Sequence, residues 1–230
     1  MRLVFIHAAG SSGAEWVQQR LAFGGAYDVA TPDLPGHGAN TVAPLRRIDD
    51  MADWIQRTQD VARSVVVGHS MGASVALSLA TRIDSLRGLV LVGGAVHPRV
   101  PEGFIERVAR DPTAAVERLA ASGFARATRA TVVEKASAYL ARTDPAVLAA
   151  DFGALAAFDA STYLPRVRVP TLVVIGAEDR MATLADAEAL AGGVRGAQLA
   201  VIEGAGHMVM LERPREFDEV LERFFAGLRA

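Results

Sequence analysis

The chain contains no cysteine, which excludes disulfides, thiolate nucleophiles and Cys-type metal sites together. Lysine is almost as scarce. Lys135 is the only one among 24 basic residues, and this disfavours Schiff-base chemistry unless Lys135 lies in a pocket. No excess of one charge is present either: the net charge of -2 gives no reason to expect nucleic acid or an acidic membrane as a partner. Long hydrophobic runs are missing as well. Nothing approaches the roughly 18 uninterrupted apolar residues of a membrane span. The N-terminal run from Leu3 to Ile6 is shorter than a signal-peptide core and is soon followed by Glu15. The expectation is a cytoplasmic protein, monomeric or homodimeric, with no metal and no cofactor.

What is present suits one α/β domain. Hydrophobic residues make up 51% of the 230 positions and charged residues 22%, enough apolar material for a substantial core. Short apolar runs at 2–6, 27–31, 64–68, 86–93, 171–176 and 197–203 read as strands, several apolar almost throughout, as strands covered on both faces are. Helix patterns alternate with them. Ser12 and Glu15 have the spacing of a capping box opening a helix through about Phe23. Ile48, Met51, Ala52 and Ile55 form one stripe behind acidic first-turn residues. A helix is expected over about 182–192, and Phe217, Val220, Leu221, Phe224, Phe225 and Leu228 form a closing amphipathic helix. Such alternation predicts a parallel sheet with right-handed crossovers.

The alternation breaks once. Residues 97–168 carry Ala-rich helical patterns punctuated by prolines and no convincing strand, so they read as an all-helical insertion between core segments 1–96 and 169–230. An insertion following a strand's C-terminal end sits over the edge where α/β sheets bind ligands, so it is expected to act as a lid.

Within "VVVGHSMGAS" (65–74), Gly68-His69-Ser70-Met71-Gly72 fits G-x-S-x-G, with a strand before it and a helix after. A serine exposed on so sharp a turn needs glycines around it, because a side chain at either would strike a neighbouring element. The helix that follows aims its first amides at the same point, which suits a developing oxyanion. Ser74 and Ser78, further along that helix, read as packing or backbone-bonded serines.

A serine nucleophile needs a base, and the base needs an orienting acid. In this architecture the chain order is serine, acid, histidine. Of the five histidines, His7, His37, His69 and His97 come too early, which leaves His207. The acid belongs at the end of another strand. "TLVVIGAEDR" supplies Asp179 there, with Glu178 beside it as the weaker candidate, whereas "LVLVGGAVH" carries no acid. His69 is expected to point away from the serine oxygen because side chains alternate along a strand. His7 and His37 are expected to position loops, and His97 to lie at the root of the lid.

With "IHAAGSS", "PDLPGHG", "VVVGHSMGAS", "VPTLVVIGAEDR" and "IEGAGHMVMLERP" in these positions, the chain resembles the α/β-hydrolase superfamily, especially its capped, esterase-like members. The resemblance implies a nucleophile at Ser70, an acid at Asp179, a base at His207, and an oxyanion hole made by the backbone N–H groups of Met71 and Ala9. Two departures stand out. Ala8 replaces the glycine usual directly after the first histidine, and no hairpin precedes the first strand, so an all-parallel sheet of about six strands is expected.

Ser70 excludes the alkyl-ester chemistry of relatives with an aspartate nucleophile. Met208 and Met210 stand where hydroxynitrile lyases of similar fold carry a lysine. The remaining reading is acyl transfer to water on a small-molecule ester of small to medium, mainly apolar character, a carboxylesterase-like reaction. Seven insertion arginines (Arg99, Arg107, Arg110, Arg118, Arg126, Arg129 and Arg142) leave room for two alternatives. One is a lyase or synthase resembling the menaquinone-pathway enzyme, acting on an anionic substrate. The other is a receptor-like protein with little turnover.

Overall fold

The computed structural model describes residues 1–228. Strands β1 (Arg2–Ile6), β2 (Asp28–Ala30), β3 (Ser64–His69), β4 (Gly88–Val92), β5 (Thr171–Gly176) and β6 (Gln198–Ile202) form one parallel sheet in the order β2-β1-β3-β4-β5-β6. The chain moves outward from β1 to β2, then returns to build the opposite half from β3. The crevice at this reversal lies between the C-terminal ends of β1 and β3, the usual ligand position in open α/β sheets.

Strand periodicity divides the core in two. Val4, Ile6, Val66, Leu89, Leu91, Val173 and Ile175 face helices α2 (Ile48–Thr58), α3 (Met71–Ala80) and α8 (Leu184–Gly193). Leu3, Phe5, Val65, Val67, Val90, Val92, Leu172 and Val174 face the other layer, which contains Trp16, helix α1 (Val17–Phe23) and helix α10 (Pro214–Gly227). Every residue of β3, β4 and β5 is buried, which is why these strands read as continuous apolar runs. The stripe expected on α2 is buried as Ile48, Met51, Ala52 and Ile55. On α10, Phe217, Leu221, Phe224 and Phe225 are buried, with Val220 and Leu228 packed against them.

Three sequence expectations need correction. The second strand is shorter, limited to Asp28–Ala30 beside the exposed edge. Ser12 does cap its turn, accepting from the Ala14 amide at 3.2 Å, but no capping box forms, because buried partners elsewhere take the Glu15 carboxylate. The first turn is consequently a 3-10 turn at Gly13–Trp16, and α1 begins only at Val17. The box that does form lies before α8, where Thr183 and Asp186 exchange hydrogen bonds.

Between β4 and β5 the chain forms helices α4 (Phe104–Arg110), α5 (Pro112–Gly123), α6 (Ala130–Leu140) and α7 (Pro145–Ala156), then two short 3-10 turns. Phe104 and Phe152 meet with ring centres 4.5 Å apart, joining α4 to α7. Helix α6 differs from its neighbours in having no buried residue. Among the described residues, no single helix is long and apolar enough to cross a membrane. A short helix, α9 (Val209–Glu212), precedes α10.

At the junction of β3 and α3 the packing leaves no room for side chains. A Cβ on Gly68 would lie 2.0 Å from the Gly72 carbonyl oxygen, and one on Gly72 would lie 2.2 Å from the Ile6 carbonyl oxygen. Substituting Gly72→Ala should destabilise the protein by about 1–3 kcal/mol or more, measured by urea unfolding, since the added Cβ meets the carbonyl groups of Ile6 and His7. Wild-type stability in that variant would contradict this packing account.

Candidate active site

Ser70 sits at the tip of this junction with φ 53 and ψ -112, one of two non-glycine residues with positive φ among those described. Its amide is anchored to the Val92 carbonyl oxygen at 2.8 Å, and its carbonyl accepts from the amides of Ala73 and Ser74. The strained conformation turns the residue into a cavity of about 740 Å³ above the C-terminal ends of the strands. Apolar residues of the helical insertion, including Leu119, Phe124, Val132 and Phe152, form much of its wall.

The loops after β5 and β6 place an acid beside a base. Asp179 Oδ1 accepts from the amides of Met181 (2.8 Å) and Ala182 (3.0 Å), while Oδ2 lies 2.8 Å from His207 Nδ1. Both side chains are nearly inaccessible, and the carboxylate holds the ring so that Nε2 remains for other work. Nε2 is buried and meets no hydrogen-bond partner among the described residues, and His207 and Ser70 line the same cavity. Glu178 points elsewhere, accepting from the Arg126 amide at 3.3 Å, so Asp179 is the acid that meets His207.

Gly93, at the end of β4, explains why that strand end carries no acid. A Cβ there would lie 3.0 Å from His207 Cε1 and 3.5 Å from Asp179 Oδ2, at a φ of +56 suited to glycine. The His207 amide donates to the Gly123 carbonyl oxygen at 2.9 Å, so the end of α5 supports the backbone of this histidine. Glu212 ties the same regions together. Its carboxylate accepts from the amides of Gly206 and Ala125, both at 2.8 Å, and from the Thr128 hydroxyl.

The loop after β1 is held with comparable care. Ala8 N–H donates to Glu15 Oε2 at 3.3 Å, and Gly10 N–H donates to Asp151 Oδ2 at 2.8 Å. The Ala8 carbonyl oxygen lies 2.8 Å from His7 Nδ1 and also accepts from the Ser11 amide. Peptide planarity then directs the Ala9 N–H the opposite way. Neither the Ala9 nor the Met71 amide is given an acceptor by these interactions, and Ala9 lines the cavity.

The other histidines have separate tasks. His7 Nε2 accepts from the Leu34 amide at 3.1 Å, so the ring is neutral with its proton on Nδ1. Burial, reinforced by the nearby His37, pushes its pKa down. His37 bridges the Pro35 carbonyl oxygen (3.0 Å) and Asp151 Oδ2 (2.8 Å). His69 is buried between Glu15 Oε1 (2.8 Å) and the His207 carbonyl oxygen (3.0 Å). His97 is largely exposed and lies 3.4 Å from Asp159. Ser78 is fully buried and donates to the Asp49 carboxylate at 2.7 Å, and Ser74 borders the cavity. Of the seven insertion arginines, Arg99 and Arg129 border the cavity, and Arg99 is paired with Asp186. Lys135 also borders it. Among the described residues, no group of three or more His, Asp or Glu is placed to hold a metal ion.

Asp151, Glu15, Glu212 and Gly93 are the site residues that sequence reasoning missed. Asp151 occupies the middle of an alanine-rich helix with no local signal, and its partners lie 114 and 141 positions away. Glu15 carried a signal, but for the wrong partner.

A family model described as the alpha/beta hydrolase family matches residues 3–220. The pimeloyl-[acyl-carrier protein] methyl ester esterase of Aromatoleum aromaticum is 32% identical over 248 residues, covering 98% of each chain. The 3-oxoadipate enol-lactonase 2 of Acinetobacter baylyi is 29% identical, covering 96% of this chain and 86% of that protein. A solved thermophilic esterase from Thermogutta terrifontis superposes with a TM-score of 0.91 at 26% identity, covering 100% of this chain and 91% of that one.

The His37–Asp151 pair makes stability depend on pH. Burial pushes the His37 pKa down, but hydrogen bonding and charge from Asp151 outweigh this and raise it above its ordinary value of 6.5. A raised folded-state value means that the stabilisation is complete below the unfolded pKa and is lost as pH rises through the folded one. Asp151→Asn should therefore destabilise by about 3 kcal/mol at about pH 6 and by less at about pH 9, measured by urea unfolding. An equal penalty at both pH values would contradict the ion pair.

Proposed function

Since this chain belongs to the alpha/beta hydrolase family, we propose that it is a serine hydrolase that cleaves a carboxylic ester of a small to medium, mainly apolar substrate through an acyl-enzyme. The observation that carries this reading is the 2.8 Å bond from Asp179 to His207 Nδ1, which leaves a buried, unpartnered Nε2 beside the cavity that Ser70 lines. Similarity to esterases and a lactonase supports the same reaction class.

In this mechanism, the ester carbonyl lies in the cavity over Ser70. His207 Nε2 takes the hydroxyl proton as Oγ attacks the carbonyl carbon, and Asp179 stabilises the imidazolium that forms. The amides of Met71 and Ala9 hold the carbonyl oxygen as it becomes negative, a contribution of about 10²-fold or more. Collapse expels the alcohol, which receives the proton from His207 and leaves an acyl ester on Ser70. Water, deprotonated by the same histidine, attacks that ester. The acid leaves, and the proton returns to Ser70. The insertion serves as a lid whose apolar side chains shape the acyl or alcohol pocket.

Arg129 and Lys135 on the cavity border favour one variation, a substrate carrying a second, anionic group. Esters that differ only in a terminal carboxylate separate the two possibilities: preference for the neutral ester supports the apolar reading, and preference for the charged one supports the variation.

On p-nitrophenyl esters from acetate to laurate, turnover should peak at short to medium chains. Ser70→Ala and His207→Ala should each lower kcat by about 10⁴-fold or more. A Ser70→Ala variant that hydrolyses these esters at the wild-type rate would overturn the mechanism.

A further inference from the structure

We propose that Glu15 and His69 form a positioning pair that locks the oxyanion loop, the Ser70 turn and the His207 backbone into one register. The inference rests on the serine hydrolase reading above and adds two residues that do not touch substrate in it.

Glu15 uses both carboxylate oxygens. Oε2 receives the Ala8 amide at 3.3 Å, in the residue before the Ala9 donor, and Oε1 meets His69 Nδ1 at 2.8 Å. His69 is joined covalently to Ser70, and its Nε2 lies 3.0 Å from the carbonyl oxygen of His207. One carboxylate and one imidazole thus reach the three segments that must cooperate, which are separated by 54 and 138 positions in sequence.

The enclosure is nearly complete, with the Glu15 side chain 1% exposed and that of His69 0%. The Trp16 ring packs edge-on to His69 at 6.3 Å, and the rings of His69 and His207 lie 4.8 Å apart. Each ring nitrogen of His69 has a partner, the Glu15 carboxylate at Nδ1 and the His207 carbonyl oxygen at Nε2. Burial pushes the Glu15 carboxyl up, but His69 more than offsets this and holds it below the usual range. A buried pair of this kind fixes geometry strongly because a half-satisfied alternative is costly.

The backbone of His207 is then bound at both ends, its amide by Gly123 and its carbonyl by His69, while Asp179 holds the ring. Glu15 fixes the loop that begins at Ala8, the position where the related glycine is replaced. An Ångström of drift between Ala9, Ser70 and His207 would weaken attack and oxyanion stabilisation together, leaving the apolar cavity wall intact.

The test compares wild type, Ser70→Ala, Glu15→Ala, Glu15→Gln, His69→Phe and the Glu15→Ala/His69→Phe double variant. Each is measured for labelling rate with a fluorophosphonate probe and for ester kcat and KM per titrated active site. Glu15→Ala and His69→Phe should each lose on the order of ten- to a hundredfold in kcat and labelling rate, with KM changed by less than about twofold. The double variant should be no slower than the slower single one, because both remove the same linkage. Glu15→Gln should recover most of the loss, since its amide can accept from Ala8 N–H and donate to a neutral His69. Active-site-titrated kcat within about twofold of wild type, or losses that multiply in the double variant, would overturn the pair's role. If His69→Phe does not fold, the Glu15→Ala and Glu15→Gln comparison decides alone. Wild-type protein that neither labels nor hydrolyses overturns the function and this inference with it. Wild-type labelling matched by equally fast Glu15→Ala labelling overturns this inference only.

Discussion

The close approach of the β3–α3 turn to strand β1 is the constraint on which the rest of the structure depends. Gly68 faces the Gly72 carbonyl and Gly72 faces the Ile6 carbonyl at distances that no side chain could occupy. That approach lets Ser70 adopt its left-handed backbone conformation, a cost of about 1–3 kcal/mol that the surrounding sheet offsets. It also brings the end of β1 beside the turn, so the loop that follows β1 starts next to the helix that begins at Met71. The parallel topology then sets the ends of β5 and β6 on the same edge, where Asp179 and His207 meet.

Around this centre, buried ionisable groups connect segments distant in sequence. Glu15 joins the first loop to His69, Asp151 joins the insertion to His37 and Gly10, and Glu212 joins the insertion to the His207 loop. A buried carboxylate without partners is expensive, so each of these groups restricts the backbone it bonds. The insertion is therefore not uniform in character. Its 121–128 segment is bonded directly to the His207 loop, Glu212, Glu178 and Arg180, while α6 lies over the cavity with no buried residue.

Much of this was legible in the sequence because it follows from local rules. Continuous valine and leucine runs identify buried parallel strands, and G-x-S-x-G between strand and helix identifies a turn that needs glycine. Chain order and strand ends select Asp179 and His207 from few candidates. What stayed hidden depends on long-range partnerships. The spacing of Ser12 and Glu15 obeys a helix-capping rule, yet the deeper claim of His69, 54 positions away, wins the carboxylate. Asp151 looks like one polar residue in an alanine-rich helix, and its importance arises only when α7 lies against the first loop. Gly93 has no motif of its own, and its meaning depends on the ring that packs against it.

Rapid-quench mass spectrometry during ester turnover tests the central claim most directly, that Ser70 is the nucleophile served by His207. The account predicts a transient mass increase equal to the acyl group on the peptide containing Ser70, formed far more slowly in His207→Ala. Ester hydrolysis with no acyl adduct on Ser70, or with the adduct on another residue, would contradict it.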